Sequence, residues 1–209
     1  MAKVNPFEKH TSDYENWFEK NHFAYTSELN AIKEQLPKNG DGLEIGVGSA
    51  RFAAPLGIEF GIEPSSRMRK IAKQRGIEVI GGIAENLPFA NAQFDYILMV
   101  TTICFLDDIG KAFREAHRVL KKSGYFIVGF VDKSSTLGKL YEKNKNENKF
   151  YKVATFYSAD EVISHMKQAG FGEFNFVQTI FHTLNEITEV EPVKNGLGQG
   201  SFIVISAKK

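Results

Sequence analysis

The sequence predicts an α/β fold: a mostly parallel sheet with helices on both faces and a helical segment ahead of it. Three observations carry this prediction. From Leu43 onward, short apolar runs alternate with helical segments, with turn residues such as Asn39-Gly40-Asp41-Gly42 at a joint, which is the pattern of repeated β-α-β units. Tyr96-Ile97-Leu98-Met99-Val100 is continuously apolar, as a strand covered on both faces must be. The C-terminal third then offers two runs, Phe174 to Ile180 and Ser201 to Ala207, joined by a long glycine-containing loop, and a hairpin is their simplest connection.

From Thr11 to Leu36, Tyr14, Trp17, Phe18, Tyr25, Leu29, Ile32 and Leu36 recur at three-and-four spacing, predicting one or two amphipathic helices before Pro37. Strands are expected over Gly42 to Val47, Ile58 to Ile62, Ile77 to Ile80, Phe94 to Val100 and Tyr125 to Phe130. Two helices fall between them. Ser65 to Arg75 carries Met68, Ile71 and Ala72 on one face, and Ile109 to Lys122 carries Ala112, Phe113, Ala116, Val119 and Leu120 before Gly124 stops it. Ser158-Ala159-Asp160-Glu161 matches a capping box and starts a helix running to Gly170. One domain, residues 1–209, is expected, with a cap over 1–38, a cofactor-binding sheet over 39–209 and a lid segment over 132–157. Within the lid, Lys139 to Lys152 holds five lysines and two glutamates among asparagines, and its end carries the aromatic group Phe150 and Tyr151 that continues in Phe156 and Tyr157. It reads first as a solvated helix or loop, and more specifically as a cover over substrate.

The 209 residues are 43% apolar and 24% charged, the balance of a globular chain with one full core. A net charge of +1 gives no general field to gather nucleic acid or an anionic membrane, so neither partner is expected. The most apolar stretch, Ile97 to Leu106, falls well short of the roughly 20 residues that cross a bilayer. The one cysteine, Cys104, and the polar start of the chain point to a cytoplasmic setting. Five histidines scattered without ligand spacing predict no metal. Ser49 lacks the following glycine of a hydrolase elbow.

The chemistry concentrates in Leu43-Glu44-Ile45-Gly46-Val47-Gly48-Ser49-Ala50-Arg51, a glycine turn directly after the first strand. Open α/β sheets bind nucleotides at that edge, and glycines let a ligand approach the backbone. Nineteen residues after Glu44, at the end of the second expected strand, stands Glu63, a carboxylate placed to accept hydrogen bonds from both hydroxyls of a ribose. Two nucleotides suit this spacing, NAD and S-adenosylmethionine. A dinucleotide fingerprint wants a third glycine where Arg51 stands, and Pro55 makes the following helix a poor phosphate binder. An S-adenosylmethionine tail makes neither demand.

With Glu44-Ile45-Gly46-Val47-Gly48, Glu63, Gly82-Ile83-Ala84-Glu85-Asn86-Leu87-Pro88-Phe89, Phe94 to Val100 and Phe113 to Gly124 in this order, the chain resembles the class I S-adenosylmethionine-dependent methyltransferases. Within them it is most similar to the small-molecule branch that includes the ubiquinone-biosynthesis type. The resemblance spans about residues 40–172. It implies a Rossmann-like, seven-stranded, mostly parallel sheet with an antiparallel last strand. It implies S-adenosylmethionine as cofactor, with Gly46, Gly48 and Ser49 at its amino-acid portion, Glu63 and Pro64 at its ribose, and Ala84 and Glu85 at its adenine. Glu44 would orient the loop and Met99 would line the methionine side. Two positions depart from the family: Ile83 where an aspartate is common before Ala84, and Cys104 where many relatives carry histidine. No Asn-Pro-Pro-Tyr segment is present, which argues against nucleic-acid bases and glutamine side chains as acceptors.

Tyr14, Trp17, Thr101, Thr102 and Cys104 are the expected substrate pocket, and the expected reaction is in-line methyl transfer to an O, N or C atom of a small molecule. A general base is optional for that chemistry, and no catalytic residue stands out. A nicotinamide-dependent oxidoreductase and a non-catalytic S-adenosylmethionine-binding protein are the alternatives.

Overall fold

The computed structural model describes residues 3–209. Three helices lead the chain: α1 (Asn5–Lys9), α2 (Thr11–Lys20) and α3 (His22–Gln35). The parallel part follows as β1 (Gly42–Ile45), α4 (Ala53–Leu56), β2 (Phe60–Ile62), α5 (Ser66–Gln74), β3 (Glu78–Ile80), β4 (Phe94–Val100), α6 (Ile109–Val119) and β5 (Leu120–Val131). Then come α7 (Thr136–Lys143), α8 (Ala159–Gln168), β6 (Gly172–Thr179), β7 (Lys194–Asn195) and β8 (Phe202–Lys208). The sheet order is β3-β2-β1-β4-β5-β8-β6-β7. The first five strands pair in parallel, and β8 runs antiparallel between β5 and β6. The expected seven strands are joined by an eighth, β7, whose two residues lengthen the edge beside β6.

Strand β4 shows why the sheet is buried on both sides. From Tyr96 onward, Ile97 and Met99 enter one core with α6 and α8, whereas Tyr96, Leu98 and Val100 enter the other with α2 and α3, the alternation that a pleated strand imposes. Phe94 joins the first core across a register shift between Phe94 and Tyr96. The Ser158 capping box is complete: its hydroxyl accepts from the Glu161 N–H, and the Glu161 carboxylate accepts from the Ser158 N–H. Helix α6 ends at Val119 rather than Lys122, because Leu120 already pairs with Phe94 and opens β5.

The parallel strands end at one edge, and the loops leaving β1, β2, β3 and β4 gather there. The N-terminal helices are tied to the same edge. The Glu8 carboxylate of α1 accepts from the Ser66 and Arg67 N–H groups at the start of α5. The Glu15 carboxylate of α2 accepts from Arg51 (2.7 Å) and Arg75 (2.5 Å). Burial works to raise the pKa of Glu15, but hydrogen bonds led by Arg75 outweigh it and hold it below the usual carboxylate range. Arg51, the residue that takes the place of a third glycine, thus clamps the cap to the glycine loop and lies 5.2 Å from the centre of the Phe18 ring. Among the described residues no helix is long and apolar enough to cross a membrane.

Candidate functional site

A cavity of about 390 Å³ opens at this edge, inside the range of small-ligand sites. One wall is the sheet edge. Gly46 and Gly48 hold φ of 71° and 54°, a left-handed conformation that favours glycine. A Cβ on Gly46 would lie 2.4 Å from Thr102 Cγ2. The loop is fixed by Gly46 and Val47 N–H groups donating to the Ile62 carbonyl, and by the Thr102 hydroxyl donating to the Gly46 carbonyl.

Glu63 reaches this wall from the end of β2. One carboxylate oxygen accepts from the Gly48 N–H at 3.0 Å and the other from the Ser65 N–H at 2.7 Å. Burial pushes its pKa up to about 7, against the lowering effect of those two hydrogen bonds. Each oxygen keeps a further lone pair. After β4 the chain turns through Thr101 at φ 50°, a strained conformation for a β-branched residue, and Thr101 and Thr102 line the cavity.

The opposite wall is helical and aromatic. Tyr14 and Trp17 come from α2, Glu28 from α3, and Tyr141, Phe150 and Tyr151 from the segment beyond β5. Phe150 lies 5.5 Å from the Phe7 ring and 6.3 Å from the Tyr14 ring, so the two parts of this wall pack together.

Of the residues expected at the site, Tyr14, Trp17, Gly46, Gly48, Glu63, Pro64, Ala84, Glu85, Thr101 and Thr102 share this cavity. Four do not reach its wall. Glu44 is buried under the loop, where its carboxylate accepts from the Ala53 N–H and its Oε2 has no partner. Ser49 is buried with its carbonyl accepting from Arg75. Met99 sits on the pleat that faces the α6 core. Cys104 is turned away by a short 3₁₀ helix, Ile103–Phe105, into a separate cavity of about 20 Å³ beside Phe156 and Tyr157. Burial pushes its thiol up to about 12, leaving it an unreactive small hydrophobe.

Glu28 and Tyr141 escaped the sequence reading. The signal for Glu28 was present: Ala24, Glu28, Ala31 and Ile32 form one helical stripe, and all four are buried. A carboxylate in that stripe calls for a partner.

The chain aligns over 99% of its length with 99% of a solved Thermotoga maritima protein, at 53% identity and a TM-score of 0.97; that protein is an S-adenosylmethionine-dependent methyltransferase described as a possible histamine N-methyltransferase. This chain belongs to the S-adenosylmethionine-dependent methyltransferases. A methyltransferase-domain family profile matches residues 43–128. An uncharacterised protein of Methanocaldococcus jannaschii is 46% identical over 99% of this chain and 100% of its own. The ubiquinone/menaquinone biosynthesis C-methyltransferase of Rickettsia bellii is 33% identical over 44% of this chain and 45% of its own length.

Membership decides between the two nucleotides that the glycine loop and Glu63 accommodate: the cofactor of this methyltransferase is S-adenosylmethionine. The cavity suits it. Two left-handed glycines bare the backbone, and a carboxylate anchored by two N–H groups retains lone pairs for hydroxyl donors. Ile83 and Ala84 add an apolar strip suited to a purine face.

Proposed function

We propose that this methyltransferase transfers the methyl group to a nucleophilic atom of a small molecule held between the sheet edge and the helical wall, in a single domain of residues 1–209. The observation that carries this reading is the shared cavity: the glycine loop, Glu63, Thr101 and Thr102 line the same space as Tyr14, Trp17 and Tyr151. At about 390 Å³ it suits a compact acceptor beside the cofactor better than a polymer. The Thermotoga relative, described as a possible histamine N-methyltransferase, supports nitrogen as one acceptor atom.

In this reading Gly46 and Gly48 receive the amino-acid portion of the cofactor, Glu63 its ribose, and Ile83, Ala84 and Glu85 surround its adenine. The bound cofactor supplies an already activated methyl on a sulfonium. The protein's part is to align the acceptor and exclude water. Tyr14 and Trp17 offer aromatic faces that attract positive charge, and Thr101 and Thr102 offer hydroxyl and carbonyl oxygens at the β4 end. Residues 132–157 act as the lid, with Phe150 and Tyr151 as its inner face.

Calorimetric titration with S-adenosylhomocysteine tests the cofactor site, and mass spectrometry of an acceptor panel incubated with S-adenosylmethionine tests transfer. Micromolar binding and one methylated small molecule are expected. No binding of either cofactor form, or methylation confined to macromolecules, would sink the reading.

A further inference from the structure

The cavity is lined by five charged side chains, Lys3, Asp13, Glu28, Glu63 and Glu85, and four of them are already occupied. Lys3 donates to the Leu106 carbonyl. Asp13 takes a hydrogen bond from Lys149 at 2.7 Å. Both Glu63 oxygens accept backbone N–H groups, and Glu85 Oε1 accepts from the Asp107 and Asp108 N–H groups. Glu28 alone has neither hydrogen bond nor cation among the described residues, although it is 5% exposed. Isolated burial lifts its pKa to about 8. Tyr141 and Tyr151, whose ring centres lie 4.8 Å apart, feel its charge, as does Tyr25 on the same helix.

A buried carboxylate without a partner is costly, and evolution has easy apolar replacements for a helix position between Ala24 and Ala31. Its position on the cavity wall, surrounded by aromatic rings, describes a receptor for a group that arrives from outside. Aromatic faces attract a cation, and a lone carboxylate completes the match. A neutral alcohol would satisfy one oxygen at most, and an anionic acceptor would be repelled.

We propose that Glu28 receives the ammonium group of the methyl acceptor and takes the proton its nitrogen must lose, so that the acceptor is a small primary or secondary amine on an apolar body. This inference rests on the methyltransferase reading above and deepens it. The proton transfer is balanced: the ammonium N–H bond breaks with its electron pair left on nitrogen, and the proton bonds to a Glu28 oxygen. The cation and carboxylate become a neutral amine and a neutral carboxylic acid. The nitrogen lone pair is then free for bond formation. Tyr141 and Tyr151 confine the head group, while Trp17 and Leu184 flank the apolar body.

The test is calorimetry on the protein saturated with S-adenosylhomocysteine, using butylamine, benzylamine and phenethylamine, each against the alcohol of the same skeleton. It is run at about pH 9, above the Glu28 pKa of about 8 and where simple alkylamines are still largely protonated. At least one amine is expected to bind about 10-fold or more tightly than its alcohol, the size of effect a charge-assisted hydrogen bond gives. Glu28→Gln should abolish that preference while S-adenosylhomocysteine binds wild type and variant alike. Equal binding of every amine and alcohol by the wild type, or a preference that survives in Glu28→Gln, overturns the proposal. If Glu28→Gln does not hold S-adenosylhomocysteine, Glu28→Asp replaces it: a retained amine preference supports the role and its loss refutes it. Wild-type protein that fails to bind S-adenosylhomocysteine instead strikes the underlying methyltransferase reading, a result separable from the others.

Discussion

Glu63 on the sheet edge and Glu28 on the helical wall line one cavity, and both are more than nine-tenths buried. Their surroundings are opposite. Glu63 leaves a strand end where the glycine loop after β1 and the Ser65 cap of α5 supply two N–H donors, so its geometry is set before any ligand arrives. Glu28 leaves the middle of a helix whose own N–H groups are consumed internally, so the backbone can offer it nothing. One wall presents a carboxylate already held by backbone donors, and in the proposal above the other keeps a carboxylate for a ligand that brings its own cation. Binding sites of both kinds can share a cavity because the strand edge and the α-helix differ in which backbone groups they leave free.

The prebuilt wall is broken most severely at Gly46. An alanine there must adopt φ near 71° and place its Cβ 2.4 Å from Thr102. Left-handed strain and overpacking together should cost about 2–5 kcal/mol. Gly46→Ala is therefore expected to lower the urea midpoint and to remove detectable S-adenosylhomocysteine binding. Wild-type affinity in that variant would show that the loop shape is not what receives the cofactor.

On the other wall the expected change is a gain. A carboxylate whose pKa is raised by folding binds its proton more tightly in the folded state, so its stability contribution is favourable at low pH and declines as pH rises. The decline runs from the ordinary carboxylate range up to about 8 for Glu28. Glu28→Gln should raise stability above that pH by about 2 kcal/mol and have little effect near pH 4. Chemical denaturation at the two ends of the window measures this. An equal loss of stability at both would mean that the carboxylate has a partner it needs.

These two walls were unequally legible in the sequence. The left-handed turn at Gly46 and Gly48 and the position of Glu63 follow from local backbone geometry at fixed offsets from a strand, so their placement was legible in the spacing, as was the capping box at Ser158. The strand β7 depends on where the 180–193 loop returns to the sheet, and two residues carry no pattern of their own. Cys104 lay in an apolar run in which every residue is a candidate for burial, and the 3₁₀ turn that rotates it is decided by packing. Glu28 was readable only by asking what a carboxylate does in an apolar helical stripe, because acidic residues on helices usually face water. The aromatic wall required knowing that residues 141–151 fold back over α1 and α2, a contact of long sequence separation.

Glu63 offers a smaller and more selective effect. In the empty site its pKa near 7 leaves it partly protonated at neutral pH, and a protonated carboxyl has lost acceptor capacity. S-adenosylhomocysteine affinity should rise with pH through about 7 and level off above it. Glu63→Gln should weaken binding about 10-fold at pH 8 and flatten that dependence. A profile that stays steep in the variant would place the titrating group elsewhere.

The smallest effect is expected where the two parts of the helical wall meet through charge. Lys149 and Asp13 join the 141–151 segment to α2 at 2.7 Å, but their side chains are 58% and 46% exposed. The Lys149 ammonium holds the Asp13 carboxyl below its usual range. The sign follows: a depressed carboxylate contributes above its unfolded pKa, and that contribution is lost as pH falls. Exposure to water and salt nevertheless leaves such pairs with little net effect. The same junction also packs Phe150 against Phe7 and Tyr14, and aromatic packing of this kind survives salt. Lys149→Ala should therefore leave the thermal midpoint and S-adenosylhomocysteine affinity unchanged in low and high salt, while Phe150→Ala lowers both. If Lys149→Ala instead weakens binding in low salt and high salt abolishes the difference, then charge holds the helical wall closed, and its contrast with the backbone-built sheet edge is one of electrostatics rather than packing.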